Sequence, residues 1–286
     1  RMCFQRVTNF MSASIQIQKT PRAALRECSD VLEHRRRRWS SNEPKQEWLG
    51  DLDRDIAALC DHLHILDHDG APKVKQRWSK LRAQLYPAIV WVNLINALQQ
   101  EFTNKQLKKL AGPVERLSHN SLEKVDRGLR KKEWVRTRRW WYGFTDSLTD
   151  DTRYIEVSEE RLSKAHHRII KTRNRALRKN ADVTWLKLLE ATLDIRLLVQ
   201  LDSAAPNMED DIELVSVCNL VETNLMAWRL AKDMADYTNS LAKSSELISE
   251  DKCIESLNRF RHARENDAYR HLDVTRDLIA AAAFSF

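Results

Sequence analysis

Glycine and proline are scarce, at five and six among 286 residues. Hairpin turns and bulges draw heavily on those residue types, so their scarcity argues against a sheet-rich fold. No apolar run approaches the about 20 residues that a membrane-crossing helix needs, and mean hydropathy is −0.58. The five cysteines (Cys3, Cys28, Cys60, Cys218 and Cys253) are odd in number, widely spread, and include no C-x-x-C pair. They match neither a disulfide framework nor zinc-ligand spacing, so a reducing compartment, the cytoplasm, is the expectation. No phosphate-binding glycine loop, nucleophile elbow or secretory signal is visible.

What the chain does have is helix-forming residues. Leu, Ala, Arg, Lys and Glu dominate, and 42% of residues are apolar, enough to bury a core. The expected fold is all-α: a short arm over residues 1–20, then a single multi-helix bundle over residues 21–286. Pro21 opens a first helix. Trp48, Leu49, Leu52, Ile56, Leu59 and Leu63 recur at three-to-four spacing, which predicts an amphipathic helix. Asp67 to Pro72 reads as a turn, followed by a long apolar helix to Phe102 that Pro87 should kink or restart. Pro113 should end the next, short helix. Ser158 opens a charged helix, and Asp182 another. Glu209, Asp210 and Asp211 supply first-turn acids for a helix to about Ala242.

Lys and Arg total 48 against 41 Asp and Glu, a net charge of +7. A modest excess of this sign suits a polyanionic partner. Three stretches concentrate it: Arg35 to Arg38 beside Trp39, Arg136-Thr-Arg-Arg-Trp-Trp-Tyr142, and Lys164 to Arg178. Guanidinium groups pair with phosphates while aromatic faces stack on bases, so these stretches point to nucleic acid or another polyanion. No recognised nucleic-acid-binding motif accompanies them. Asp61-His-Leu-His-Ile-Leu-Asp-His-Asp69 is rich in ligand atoms, but His62 and His64 do not share a helix face. A structural role is the expectation there.

Two helical segments about 130 residues apart carry the most specific pattern. The first is Trp91-Val-Asn-Leu-Ile-Asn-Ala-Leu-Gln-Gln-Glu101. The second is Trp228-Arg-Leu-Ala-Lys-Asp-Met-Ala-Asp-Tyr237. The second resembles the Arg-Leu-Ala-Asn-Asp-Leu-x-Ser/Thr-Tyr-x-x-Glu helix of bacterial class I terpene synthases. The likeness continues through Leu241-Ala-Lys243 and Ser249 to Leu257. That family holds one magnesium ion through Asn, Ser/Thr and Glu on this helix. Here those positions are Lys232, Asp236 and Ser240, with Asp233 matching the family's Asp. The family's Asp-rich motif ends the first helix. Gln99 and Gln100 stand where its leading Asp pair belongs, and Glu101 alone stays acidic.

The resemblance implies a class I isoprenoid-synthase fold and a prenyl diphosphate ligand. It also implies magnesium, held by Asp233, Asp236 and Glu101, for a carbon–oxygen lyase reaction. It implies Asp233, Asp236 and Tyr237 as catalytic residues. Arg229, Lys232, Arg196, Gln99 and Gln100 would hold diphosphate, while Trp91, Trp228 and Tyr237 would line a hydrocarbon cavity and stabilise a carbocation. Lys187 and Arg196 both lie where the family senses diphosphate, and the sequence does not choose between them. A Lys at the first ligand position repels a metal and replaces it as a point charge. Gln is a poor ligand for a hard cation. Two expectations therefore stand: a terpene-synthase-like prenyl diphosphate binder with an altered metal site, possible as a homodimer, and a non-enzymatic basic helical protein that binds a polyanion.

Overall fold

The computed structural model describes residues 20–39, 46–129, 131–202, 209–244, 247 and 250–281. The predicted arm over residues 1–20 lies almost wholly outside them. Nine α-helices, and no strands, make up the regular structure of the described residues. They are α1 (Pro21–Trp39), α2 (Gln46–His64), α3 (Ala71–Glu101), α4 (Asn104–Leu129), α5 (Lys131–Ser147), α6 (Glu159–Lys179), α7 (Asp182–Asp202), α8 (Glu209–Ala242) and α9 (Asp251–Ala281). The chain divides into two compact units. A larger one comprises Thr20–Arg153 and Leu230–Asn266, and a smaller one includes Tyr154–Arg229 and Asp267–Phe286.

In the larger unit the amphipathic pattern of α2 behaves as its spacing dictates. Leu49, Leu52, Ile56, Leu59 and Leu63 are all buried, and α2 packs along α3. Removing these side chains from water is the main source of stability here, at about 1.5–3 kcal/mol each. α3 runs unbroken through Pro87, and α4 runs unbroken through Pro113. The helix end expected at Pro113 is therefore absent, and of the kink or restart expected at Pro87 the restart does not occur. Each proline removes a hydrogen bond, but buried apolar residues on both sides hold the helix in place. In α3 these are Val74, Trp78 and Leu85 before the proline, and Val90, Leu94 and Leu98 after it. That burial outweighs the about 3 kcal/mol cost of an internal proline.

One core cluster of this unit joins the second half of α3 to α4, the end of α8 and the start of α9. It contains Val90, Trp91, Leu94, Leu98, Leu110, Met234, Leu241, Leu257 and Phe260. The ring of Phe102 meets that of Phe260 edge-on, at 6.1 Å between centroids. Gln106 donates to Ser256 at 2.8 Å and Arg116 to Ser244 at 2.8 Å, so α4 runs antiparallel to this stretch of chain.

The smaller unit centres on α6 and α7, which pack closely. The Ser158 hydroxyl caps α6 by accepting the Arg161 N–H, and Glu159 and Glu160 fill its first turn. Asn180 ends the helix in the left-handed conformation (φ 46°, ψ 37°), a backbone shape that Asn tolerates better than most residues. Trp185, Leu188, Ile195, Val221, Leu225, Leu272 and Ile279 are buried in its core.

Candidate functional site

The two segments singled out in the sequence contribute to the same core of the larger unit. The Tyr86 hydroxyl of α3 donates to the Asp233 carboxylate of α8 at 2.7 Å. Further along both helices, the rings of Trp91 and Tyr237 lie 4.8 Å apart, tilted by 39°. Residue numbers rise together in the two pairs, so α3 and α8 run parallel here. Trp91 is only 4% exposed. Burial pushes the Tyr237 phenol pKa above its usual value, and the neighbouring Asp233 charge pushes it the same way. The Tyr237 proton is therefore held more firmly than in water.

This register separates the acidic groups. Asp233 is level with Tyr86, and Asp236 precedes Tyr237, which meets Trp91. Glu101 lies ten residues beyond Trp91, about 15 Å further along a helix. Gln99 is thirteen residues beyond Tyr86, about 20 Å. Gln99, Gln100 and Glu101 are exposed at the end of α3, and Arg264 Nη2 contacts the Glu101 carboxylate at 3.5 Å. Asp236 is exposed and Lys232 half-buried. Among the described residues no group of three or more His, Cys, Asp or Glu is arranged to hold a metal. A magnesium cluster needs several converging oxygen ligands. Asp233, Asp236 and Glu101 do not fit that requirement.

Three of the implied residues belong to the smaller unit. Trp228 is buried and Arg229 exposed. Arg196 is 0% exposed. Its Nε donates to Glu222 at 3.0 Å, and its Nη1 donates to Gln200 at 3.1 Å. Burial, reinforced by the Glu222 charge, pushes the nearby Cys218 thiol up to about 12, so it stays protonated. Lys187, the other candidate diphosphate sensor, is exposed. Sequence reasoning missed Tyr86 and Arg264. Tyr86 sits immediately before Pro87, and no spacing rule marks it; only the partner helix reveals it.

The basic-aromatic stretches differ from one another. Arg35 pairs with Asp51 and Asp55, both at 2.8 Å, and Arg36 and Arg37 pair with Glu33. Burial raises the Glu33 pKa, but hydrogen bonds from Arg36, Trp134 and Arg37 outweigh it and hold the pKa at about 2. On α6, Lys164 pairs with Glu160, and Arg168 with Asp194 and Glu190. The stretch on α5 is unlike these. With α3 it forms a cleft of about 420 Å³, lined by Arg77, Trp78, Lys80, Trp134, Arg136 and Trp140, with Leu81, Gln84 and Thr137. The Arg77 guanidinium lies 4.1 Å from the centre of a Trp140 ring.

No family model matches the sequence, and a search of curated proteins gives no match. Among solved structures the chain is similar to PptA from Streptomyces chartreusis, with a TM-score of 0.60 and 12% identity. The likeness covers 96% of this chain and 99% of that one. At such low identity it establishes a shared helical fold.

Proposed function

We propose that this chain is a terpene-synthase-like protein that binds an isoprenoid diphosphate through an altered site. The observation that supports the reading is the parallel packing of α3 and α8, the helices that carry the two segments, with Tyr86 on Asp233 and Trp91 on Tyr237. In that reading the aromatic pair flanks hydrocarbon, and Lys232 supplies charge to phosphate where the family places a metal ligand. Because the acids are separated along the helices, no ionisation step through magnesium forms part of the proposal.

Thermal stabilisation by farnesyl and geranylgeranyl diphosphate, with and without magnesium, tests it. Ligand at about 100 times its Kd should stabilise the fold by about 2.7 kcal/mol. The response should need no magnesium and should shrink in Lys232→Ala. A magnesium-dependent response would restore the metal to the reading, and no response to either diphosphate would reject the isoprenoid ligand. Product analysis decides whether the carbon–oxygen bond is cleaved.

The α3–α5 cleft favours a second reading, in which the chain is a non-enzymatic binder of a polyanion. Its cations and indole rings are the combination that phosphate-bearing ligands select.

A further inference from the structure

We infer that the cleft between α3 and α5 is a nucleotide site, taking a ligand with phosphate at one end and a planar, polar ring at the other. The inference deepens the polyanion reading and is independent of the isoprenoid one.

Charge is the first reason. Arg77, Lys80 and Arg136 all line the cleft and all are exposed. Several guanidinium groups of this unit are matched by acids: Arg35 by Asp51 and Asp55, Arg82 by Asp53, Arg127 by Glu123. Among the described residues no acid lines the cleft. Three cations around one concavity, with no acid among the described lining residues, create a positive potential that an anion relieves.

Order is the second reason. The Arg77 guanidinium carbon lies over the Trp140 ring, a contact that holds in place a group able to meet phosphate oxygens in pairs. The indole walls are also fixed. The Trp134 Nε1–H donates to Glu33. Trp78 meets Trp134 edge-on at 6.3 Å and Trp141 edge-on at 5.7 Å. A site held in place this way loses little freedom when it is filled.

The third reason separates a ring from a hydrocarbon chain. The volume lies in the usual range for small-ligand sites, roughly 300–1,000 Å³. Gln84 and Thr137 stand among the lining residues and can hydrogen-bond a ring edge. A prenyl tail has no use for either.

The test titrates the full chain with ADP, adenosine, inorganic pyrophosphate, farnesyl diphosphate and a short single-stranded oligonucleotide. Tryptophan fluorescence and calorimetry report binding. ADP should bind saturably, quench the fluorescence, and bind roughly tenfold or more tightly than adenosine or pyrophosphate. Arg136→Gln and Arg77→Gln should each weaken ADP by roughly tenfold, the scale of a lost charged hydrogen bond. Both residues are exposed; Arg136→Gln should leave Tm unchanged, and Arg77→Gln should lower it only slightly through the lost contact with Trp140. Pyrophosphate binding as tightly as ADP would remove the ring from the proposal. Farnesyl diphosphate binding that falls in Arg136→Gln would hand the cleft to the isoprenoid. An oligonucleotide that binds where ADP does not would overturn the small-ligand assignment. Farnesyl binding that responds to Lys232→Ala and not to Arg136→Gln bears on the first reading alone.

Discussion

The Tyr86 hydroxyl reaches across 147 residues of sequence to donate to the Asp233 carboxylate. That contact sets the register of α3 against α8 and, one turn on, brings Trp91 against Tyr237. It also gives Asp233 a role within the fold. Its carboxylate meets a phenol on the partner helix, while Glu101 is too far along α3 to share a metal with it.

Tyr86→Phe keeps the ring and removes the donor. A hydrogen bond to a charged group contributes about 1.5–3 kcal/mol, and partial exposure of this pair places the expected loss at about 1–2 kcal/mol. Urea unfolding should show that loss. Asp233→Asn should cost less in the Tyr86→Phe background than in the parent, because the two act as a unit. Costs that simply add would mean the contact contributes nothing to stability.

A second pair argues about Arg196. Its guanidinium is fully buried against Glu222 and Gln200 in the smaller unit. Removing one member of a buried ion pair leaves its partner's charge in a poor medium. Arg196→Met should therefore cost about 3–5 kcal/mol. The double variant Arg196→Met with Glu222→Leu should recover most of that, since well-packed apolar groups replace such pairs at little loss. Denaturant midpoints measure both. If the single variant instead unfolds no earlier than the parent, Arg196 is held for a ligand and not for the fold.

Much of the architecture was legible because helix signals are local. Pro21, Ser158 and the acids Glu209 to Asp211 marked helix starts that the structure has at Pro21, Glu159 and Glu209. The leucines of α2 fell on the buried face that their spacing demands. The helix end expected at Pro113 is absent because a local rule gives the cost of a proline and not the burial that offsets it. The candidate site was harder for the same reason. Trp91 and Tyr237 were named from a resemblance, and they do meet. Which acids lie level with one another depends on how α3 slides along α8, and Tyr86 fixes that with no signature of its own. The cleft was half legible: Arg136 to Tyr142 announced one wall, but Arg77, Trp78 and Lys80 look like ordinary helix residues until α3 is placed beside α5.

Asn180 offers a separate check on the smaller unit. Its backbone is left-handed, and its side-chain oxygen accepts from Trp185 Nε1 at 3.1 Å and Arg276 Nη2 at 2.7 Å. Asn180→Gly relaxes the backbone but loses both bonds, for an expected cost of about 1 kcal/mol. Asn180→Ala loses the bonds and adds the about 1–2 kcal/mol penalty of a Cβ in that conformation. Alanine should therefore be the worse substitution by urea unfolding. The reverse order would place the stabilisation elsewhere.

His62 makes stability depend on pH in a definite direction. Burial lowers its pKa from 6.5 to about 4, although the nearby Glu27 charge works the other way. The folded chain therefore binds fewer protons than the unfolded chain between those values, and stability must rise with pH there. The contribution is fully present above about pH 6.5 and is lost as pH falls toward about 4, up to about 3 kcal/mol in all. Glu33 acts in a lower window, between its ordinary 4.5 and about 2. Burial raises the Asp55 pKa above 3.8, which opposes the His62 effect in the overlap. Comparing the parent with His62→Leu cancels both carboxylates. Urea midpoints from about pH 7.5 down to about pH 4.5 should fall in the parent and stay flatter in the variant. Parallel curves would show that His62 is protonated as easily inside the fold as outside it.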